Sequence, residues 1–122
     1  MSSAAAPWPT EIKYSKAARA LSIAFDDGSS FRLPAEYLRV DSPSAEVQGH
    51  GSAQKQTVAG KRNVEIINIE PVGRYAIRIV FSDGHDTGLF SWTYLHELGR
   101  DQLKRWSDYE RRLAAAQLGR DG

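Results

Sequence analysis

The sequence predicts a small single α+β domain in which two β-hairpin-plus-short-helix repeats form a mainly antiparallel sheet, completed by a C-terminal amphipathic helix. Three observations carry this. First, Leu21-Ser-Ile-Ala-Phe-Asp-Asp-Gly28, Ser-Ser-Phe-Arg-Leu33 and Tyr37-Leu38-Arg39 return as Ile77-Arg-Ile-Val-Phe-Ser-Asp-Gly84, His-Asp-Thr-Gly-Leu89 and Tyr94-Leu95-His96, in register from Leu21/Ile77 to Leu33/Leu89 and slipping by one residue before the Tyr-Leu pair. Second, each copy runs an apolar alternation into an Asp-Gly pair, the pattern of a half-buried strand entering a tight turn. Third, Leu103, Trp106, Tyr109, Leu113 and Ala116 recur three and four apart, which places them on one stripe of a helix.

Residues 1–10 are small and Pro-rich and read as a loose lead-in, with the domain proper over 11–99 and the helix over 100–118. Glu11-Ile-Lys-Tyr suggests a first strand. In the second, Leu21, Ile23 and Phe25 share a face, and Asp27-Gly28 predicts a type I′ turn with positive φ at both central residues. Phe31-Arg-Leu33 is the return strand. Pro34 suits the first turn of a helix over Pro34–Arg39, since its missing N–H costs nothing there. Residues 41–63 carry Ser42-Pro-Ser44, Gly49-His-Gly51 and Gly60-Lys-Arg, turn chemistry without periodicity. So long a connection in a small domain marks a candidate binding surface. Val64 to Glu70 is β-rich, Pro71-Val-Gly73 reads as a turn, Tyr75 to Phe81 as the long strand of the second copy, and Asp83-Gly84 as its hairpin turn. Ser91 is placed to cap a second short helix that Gly99 ends. On the helix that follows, Asp101/Arg105, Lys104/Asp108 and Asp108/Arg112 pair at four-residue spacing along a solvated face.

Lys plus Arg number 16 against 15 Asp plus Glu, a formal charge of +1, which argues against general attraction to phosphate backbones or anionic lipid. With no cysteine, the chain offers no disulfide, thiolate nucleophile or Cys-ligated metal. The start lacks the basic and apolar regions of a secretory signal, and no stretch approaches the roughly 20 apolar residues of a membrane span, so a soluble cytoplasmic protein is expected.

Catalytic motifs fail one by one. Gly49-His-Gly51-Ser-Ala-Gln54 lacks the third glycine and the preceding strand of a dinucleotide fingerprint. Gly60-Lys61-Arg62 has Arg where a P-loop needs Ser or Thr, and no glycine five residues before Gly60. There is no Gly-x-Ser-x-Gly elbow. His50, His85 and His96 could meet Asp83 or Asp86 on a metal, though no two share a helical ligand spacing. Arg78, Lys61 and Arg62 with Tyr75 and Trp92 could be read as a basic-aromatic nucleic-acid surface, but core aromatics and solvated strand faces explain the same letters.

The two Asp-Gly segments, Ser42-Pro-Ser-Ala-Glu-Val-Gln-Gly-His-Gly51, Ile69-Glu-Pro-Val-Gly73 and Asp83-Gly-His-Asp-Thr-Gly-Leu-Phe-Ser-Trp92 together resemble the gamma-butyrobetaine hydroxylase-like N-terminal domain family over about Pro9 to Gly99. The resemblance implies a domain that precedes an iron- and 2-oxoglutarate-binding half in large hydroxylases, stands alone in many bacteria, or is joined to Mrp-type P-loop ATPases that carry iron–sulfur clusters. In the hydroxylases it holds zinc with three cysteines and a histidine. Here Ser42, Ser44 and Val47 stand at the cysteine positions and His85 at the histidine position. A hydroxyl stays protonated near neutral pH and valine has no lone pair, so no structural zinc and no cofactor is expected.

The expected function is therefore that of a non-catalytic interaction or accessory module. It would serve either as a protein-binding accessory or, as the resemblance implies, as an adaptor in iron–sulfur or cofactor handling with an Mrp-type carrier ATPase as partner, through a surface containing Arg39, His50, Asp83, His85, Asp86, Trp92 and Tyr94. The alternative is a small metal-dependent enzyme or metal-binding protein built on His50, His85 and Asp86.

Overall fold

In the computed structural model, residues 7–44 and 57–121 are described. Strands β1 (Pro9–Ser15), β2 (Ala20–Phe25) and β3 (Ser30–Pro34) form an antiparallel sheet in that order, and helix α1 (Ala35–Val40) follows. Strands β4 (Ile66–Val72), β5 (Ala76–Phe81) and β6 (Leu89–Ser91) form a second antiparallel sheet, followed by α2 (Trp92–Arg100) and α3 (Gln102–Ala115). The α+β class and the repeat hold, with the strands divided between two three-stranded sheets.

Each repeat is larger than the hairpin and helix visible in the letters. It is a β-β-β-α unit, and even the irregularity of its first strand is duplicated. The register shifts between Pro9, opposite Phe25, and Glu11, opposite Ala24; it shifts again between Ile66, opposite Phe81, and Asn68, opposite Val80. A bulge bends and twists its strand. Together with Pro9 and Pro71, which donate no N–H, it blunts β1 and β4, one outer strand of each sheet, against pairing with other chains. Thus β1 begins inside the expected lead-in, and β4 continues through Pro71 and Val72, where a turn was expected; the turn is Gly73 to Tyr75.

Both hairpins close with three-residue loops rather than type I′ turns. Gly28 N–H bonds Phe25 O and Phe25 N–H bonds Ser29 O; Gly84 repeats this with Phe81, and Phe81 with His85. Only Gly28 (φ 89°) and Gly84 (φ 92°) are left-handed, so each aspartate stays in ordinary backbone. This is a type I turn followed by a glycine bulge.

The one-residue slip also moves. Ile77 pairs with Phe90 as Leu21 pairs with Leu33, and Ala76 with Ser91 as Ala20 with Pro34. The extra residue therefore lies between Gly84 and β6. A one-residue shift turns side chains to the opposite face, so Phe90 is the buried counterpart of Leu33 while Leu89 is 50% exposed. Pro34 and Ser91 are matching N-caps, and the Ser91 hydroxyl accepts from Tyr94 N–H at 3.0 Å as the sequence predicts.

The inward faces of both sheets merge in one core: Leu21, Ile23, Phe25 and Leu33 from the first, Ile77, Ile79, Phe81 and Phe90 from the second, closed by Tyr37, Leu38, Leu95 and Leu98. The helices are exchanged reciprocally. Tyr37 Oη donates to Leu98 O at 2.7 Å and its counterpart Tyr94 Oη to Asp41 O at 2.5 Å, each satisfying a carbonyl at the end of the other repeat's helix. Burial pushes both phenols up, Tyr94 to about 12, so they remain donors.

Gly99 does not end α2. It lies within the helix, where a Cβ would stand 2.2 Å from Cγ of Phe31, so the close approach of that ring and not chain termination requires glycine here. The helical residues after it are split at Asp101, and α3 buries Tyr109 and Leu113 against Val40 of α1. Trp106 packs partly against both apolar clusters, but Leu103 is 89% exposed, off the expected stripe. It sits about a quarter-turn from the axis of Trp106, Tyr109 and Leu113. The expected four-residue ion pairs are replaced. Arg105 reaches Asp41 (3.7 Å) and Glu97 (3.8 Å), Asp101 takes Arg100, and Asp108 takes Arg111. Beyond α3 the tail turns back, and Arg120 forms a bidentate pair with buried Glu36 (2.7 and 2.8 Å).

Candidate functional site

The exchanged helices carry a side chain to the opposite Asp-Gly turn in each half. From α1, Arg39 Nε donates to Asp83 Oδ2 at 2.8 Å; from α2, His96 Nε2 lies 3.0 Å from Asp27 Oδ2. Arg39 and His96 are counterparts in the repeat, as are the two aspartates, so the halves are latched twice by the same device. The latches differ in chemistry. His96 sits among Phe25, Phe31 and the Ser29 hydroxyl, 3.3 Å away. Hydrogen bonds from the Ser29 hydroxyl and amide, helped by His96, hold Asp27 down at about 2.

At the other latch Asp83 Oδ2 also receives Lys61 Nζ at 2.5 Å, while Oδ1 accepts from His85 N–H at 3.1 Å. Burial alone would raise this carboxyl; the bonds from Lys61, His85 N–H and Arg39 overcome it and bring it to about 2. Lys61 is held by its neighbours, since Gly60 N–H and Arg62 N–H bond Gly119 O and Arg120 O, both at 3.0 Å.

Beside this latch is a buried polar pocket. His85 Nε2 lies 3.0 Å from Ser42 Oγ and 3.3 Å from Ser44 Oγ, with all three residues under a tenth exposed. Gly88 makes the room: a Cβ there would stand 2.3 Å from Ser42 Oγ. In the other repeat the matching space is filled the opposite way, by Phe31 lying on Gly99. His85 Nε2 is thus engaged by two hydroxyls, and a neutral hydroxyl is a poor substitute for thiolate as a zinc ligand. The described donors do not fit a structural zinc ion; Val47 lies outside the described residues. Among the described residues no group of three His, Cys, Asp or Glu side chains is arranged to hold a metal.

The remaining expected site residues separate. Asp86 turns to Arg78, with Oδ2 3.3 Å from Nη1, so it does not join His85. Tyr94 is part of the core latch. Trp92 donates Nε1–H to Arg74 O at 2.8 Å and packs at 6.3 Å from Trp8. His50 lies outside the described residues. The basic-aromatic surface does not form as a cationic field, because Lys61, Arg62 and Arg78 each face a carboxylate: Asp83, Asp121, and Glu70 with Asp86.

The features least visible in the sequence are Lys61 at the latch and an exposed aromatic ridge. Trp8, 45% exposed, stands edge-on to Tyr75, 64% exposed, with centroids 5.6 Å apart, and Trp92 completes the row. Trp8 sits in the expected lead-in, where the sequence shows only a large apolar ring between Pro7 and Pro9.

No helix among the described residues is long and apolar enough to cross a membrane. No curated protein matches the chain. Among solved structures it is similar to two solution structures determined by NMR, one at 45% identity (TM-score 0.83, covering 96% of this chain and 92% of that one), the other at 47% (0.82, 98% and 89%). It is also similar, at 40% identity (TM-score 0.63, 75% and 91%), to the crystal structure of a protein of unknown function of the DUF971 family from Acidithiobacillus ferrooxidans. The profile of the gamma-butyrobetaine hydroxylase-like N-terminal family matches residues 12–96, through both hairpins, both latches, α1 and the first half of α2, and the chain belongs to that family.

Proposed function

We propose that this chain is a non-catalytic protein-binding module, an adaptor whose partner is an Mrp-type iron–sulfur carrier ATPase. The observation that carries the reading is the aromatic ridge of Trp8, Tyr75 and Trp92, because large aromatic side chains left in solvent lose apolar burial and are enriched where partners dock. The choice of partner rests on the family resemblance. The internal side of the molecule supports a structural role for its polar groups: His85 is turned to two serine hydroxyls and Asp86 to Arg78, which leaves no convergent pair for the metal-dependent alternative among the described residues.

The test is direct binding. The purified chain, titrated by calorimetry into a purified Mrp-type ATPase from the same organism, should bind with micromolar affinity. Trp8→Ala with Tyr75→Ala should weaken binding at least tenfold, since two aromatic anchors at an interface each contribute about 1–2 kcal/mol or more. No heat and no co-elution at roughly 100 μM, well above the expected Kd, would remove the adaptor reading.

A further inference from the structure

We infer that Arg39 and Lys61 form an oxyanion-binding site, taking a carboxylate or phosphate group between the end of α1 and the second hairpin turn. This stands apart from the aromatic ridge and needs no protein partner. Its starting point is an imbalance of charge and of donors. A single carboxylate oxygen, Asp83 Oδ2, serves both Arg39 Nε (2.8 Å) and Lys61 Nζ (2.5 Å), while Oδ1 is taken by His85 N–H. Two cations therefore share one anion. Arg39 spends only Nε on it; its side chain is 11% exposed, and its buried Nη1 has no acceptor among the described residues. An enclosed guanidinium nitrogen without an acceptor carries a desolvation cost that an anion would offset.

The duplicated fold supplies an internal comparison. At the matching latch one imidazole faces Asp27, the Ser29 hydroxyl completes the contact, and no second cation is present among the described residues. Among the described residues the second cation stands at one latch only. It is also held in place. Backbone bonds from Gly60 and Arg62 to the tail fix the segment on either side of Lys61, and Arg62 itself is taken by Asp121, so of these two cations Lys61 is the one that meets the turn beside Arg39. The Lys61 and Asp83 side chains, 21% and 19% exposed, leave solvent access. A guanidinium fork matches two oxygens of a carboxylate or phosphate, and an ammonium has two further N–H groups after bonding Asp83.

The experiment is an NMR titration of the full 15N-labelled chain with inorganic phosphate and, separately, with succinate, at constant ionic strength. The reporters are the amides of Lys61, Asp83 and His85 and the Arg39 Nε–H, with the Asp27 and His96 amides as internal controls. Saturable shifts confined to the reporters, with millimolar Kd, are expected. Preference for phosphate identifies a phosphate group as the ligand, and preference for succinate a carboxylate. Lys61→Gln should weaken binding about tenfold through loss of one charge-assisted bond. Asp83→Asn, which releases both cations, should tighten it severalfold; if that variant does not fold, Lys61→Gln decides alone. Shifts that fail to saturate by roughly 50 mM, that appear equally at Asp27 and His96, or that are unchanged in Lys61→Gln would overturn the site.

Discussion

Replacing Gly99 by alanine sets two effects of opposite sign against each other. Within a helix, Gly→Ala gains about 1 kcal/mol from propensity. Here, however, the new Cβ would stand 2.2, 2.3 and 2.7 Å from Cγ, Cδ2 and Cδ1 of Phe31, where carbon contacts prefer about 3.5–4.0 Å. The struck atoms are at the root of the ring, so rotation about χ2 does not clear them. The ring cannot simply withdraw either, because it is packed edge-on against Phe25 (6.1 Å) and His96 (5.5 Å). Overpacking of this kind costs about 1–3 kcal/mol. Because the ring atom struck at 2.2 Å cannot rotate away, the cost falls in the upper half of that range, about 2–3 kcal/mol, and against the propensity gain of about 1 leaves a loss of about 1–2 kcal/mol, read as a lower midpoint at unchanged slope in urea unfolding followed by circular dichroism. In a Phe31→Ala background the space is open, and Gly99→Ala should become stabilising. A Gly99→Ala protein as stable as the parent, or more stable by the propensity increment, would refute the claim that this glycine is there to admit Phe31.

Three further outcomes follow from the interlock. Tyr37→Phe and Tyr94→Phe should each cost about 1–2 kcal/mol in the same assay, since each leaves a buried helix-end carbonyl without its donor; a neutral result for both would mean the exchanged helices are held by apolar contacts alone. The Asp83 carboxyl is depressed from its ordinary 3.8 to about 2, so its contribution, about 2 kcal/mol, is present above pH 4 and lost as pH falls towards 2. Asp27 acts in the same direction, and Asp83→Asn should flatten the acid limb of a stability–pH curve; an unaltered limb would contradict the latch. Ser42→Cys with Ser44→Cys puts two thiols against His85 Nε2, and the double variant should bind Co2+ at micromolar concentration with a thiolate charge-transfer band absent from the parent. Absence of that band would show that the pocket is not poised for a metal even with sulfur present.

Much of this was legible in the letters because it is local. Alternation places Leu21, Ile23 and Phe25 on one face whatever the rest of the chain does, and a serine before Trp-Thr-Tyr caps a helix by reaching the third following amide. The Asp-Gly pairs announced hairpins, but turn type depends on how many residues the ladder leaves unpaired, and the bond from Phe25 to Ser29 lengthened the loop to three. The stripe on the last helix was legible at Trp106, Tyr109 and Leu113. It misled at Leu103, which lies about a quarter-turn off the axis of those three, and at Ala116, which is exposed at the C-cap, because a spacing of three and four drifts around the helix and does not tell how far the partner surface extends.

What the sequence by itself determined, then, is a duplicated α+β unit and the family it belongs to, since repetition, strand period and turn residues are properties of short segments. Only the tertiary structure decided that the copies exchange helices, so that Arg39 meets Asp83, His96 meets Asp27, and each tyrosine satisfies a carbonyl of the other half. Those pairings join residues far apart along the chain. They form because a sheet with one apolar face and a short helix with one apolar side cannot bury both within a single repeat, whereas two repeats can bury them against each other.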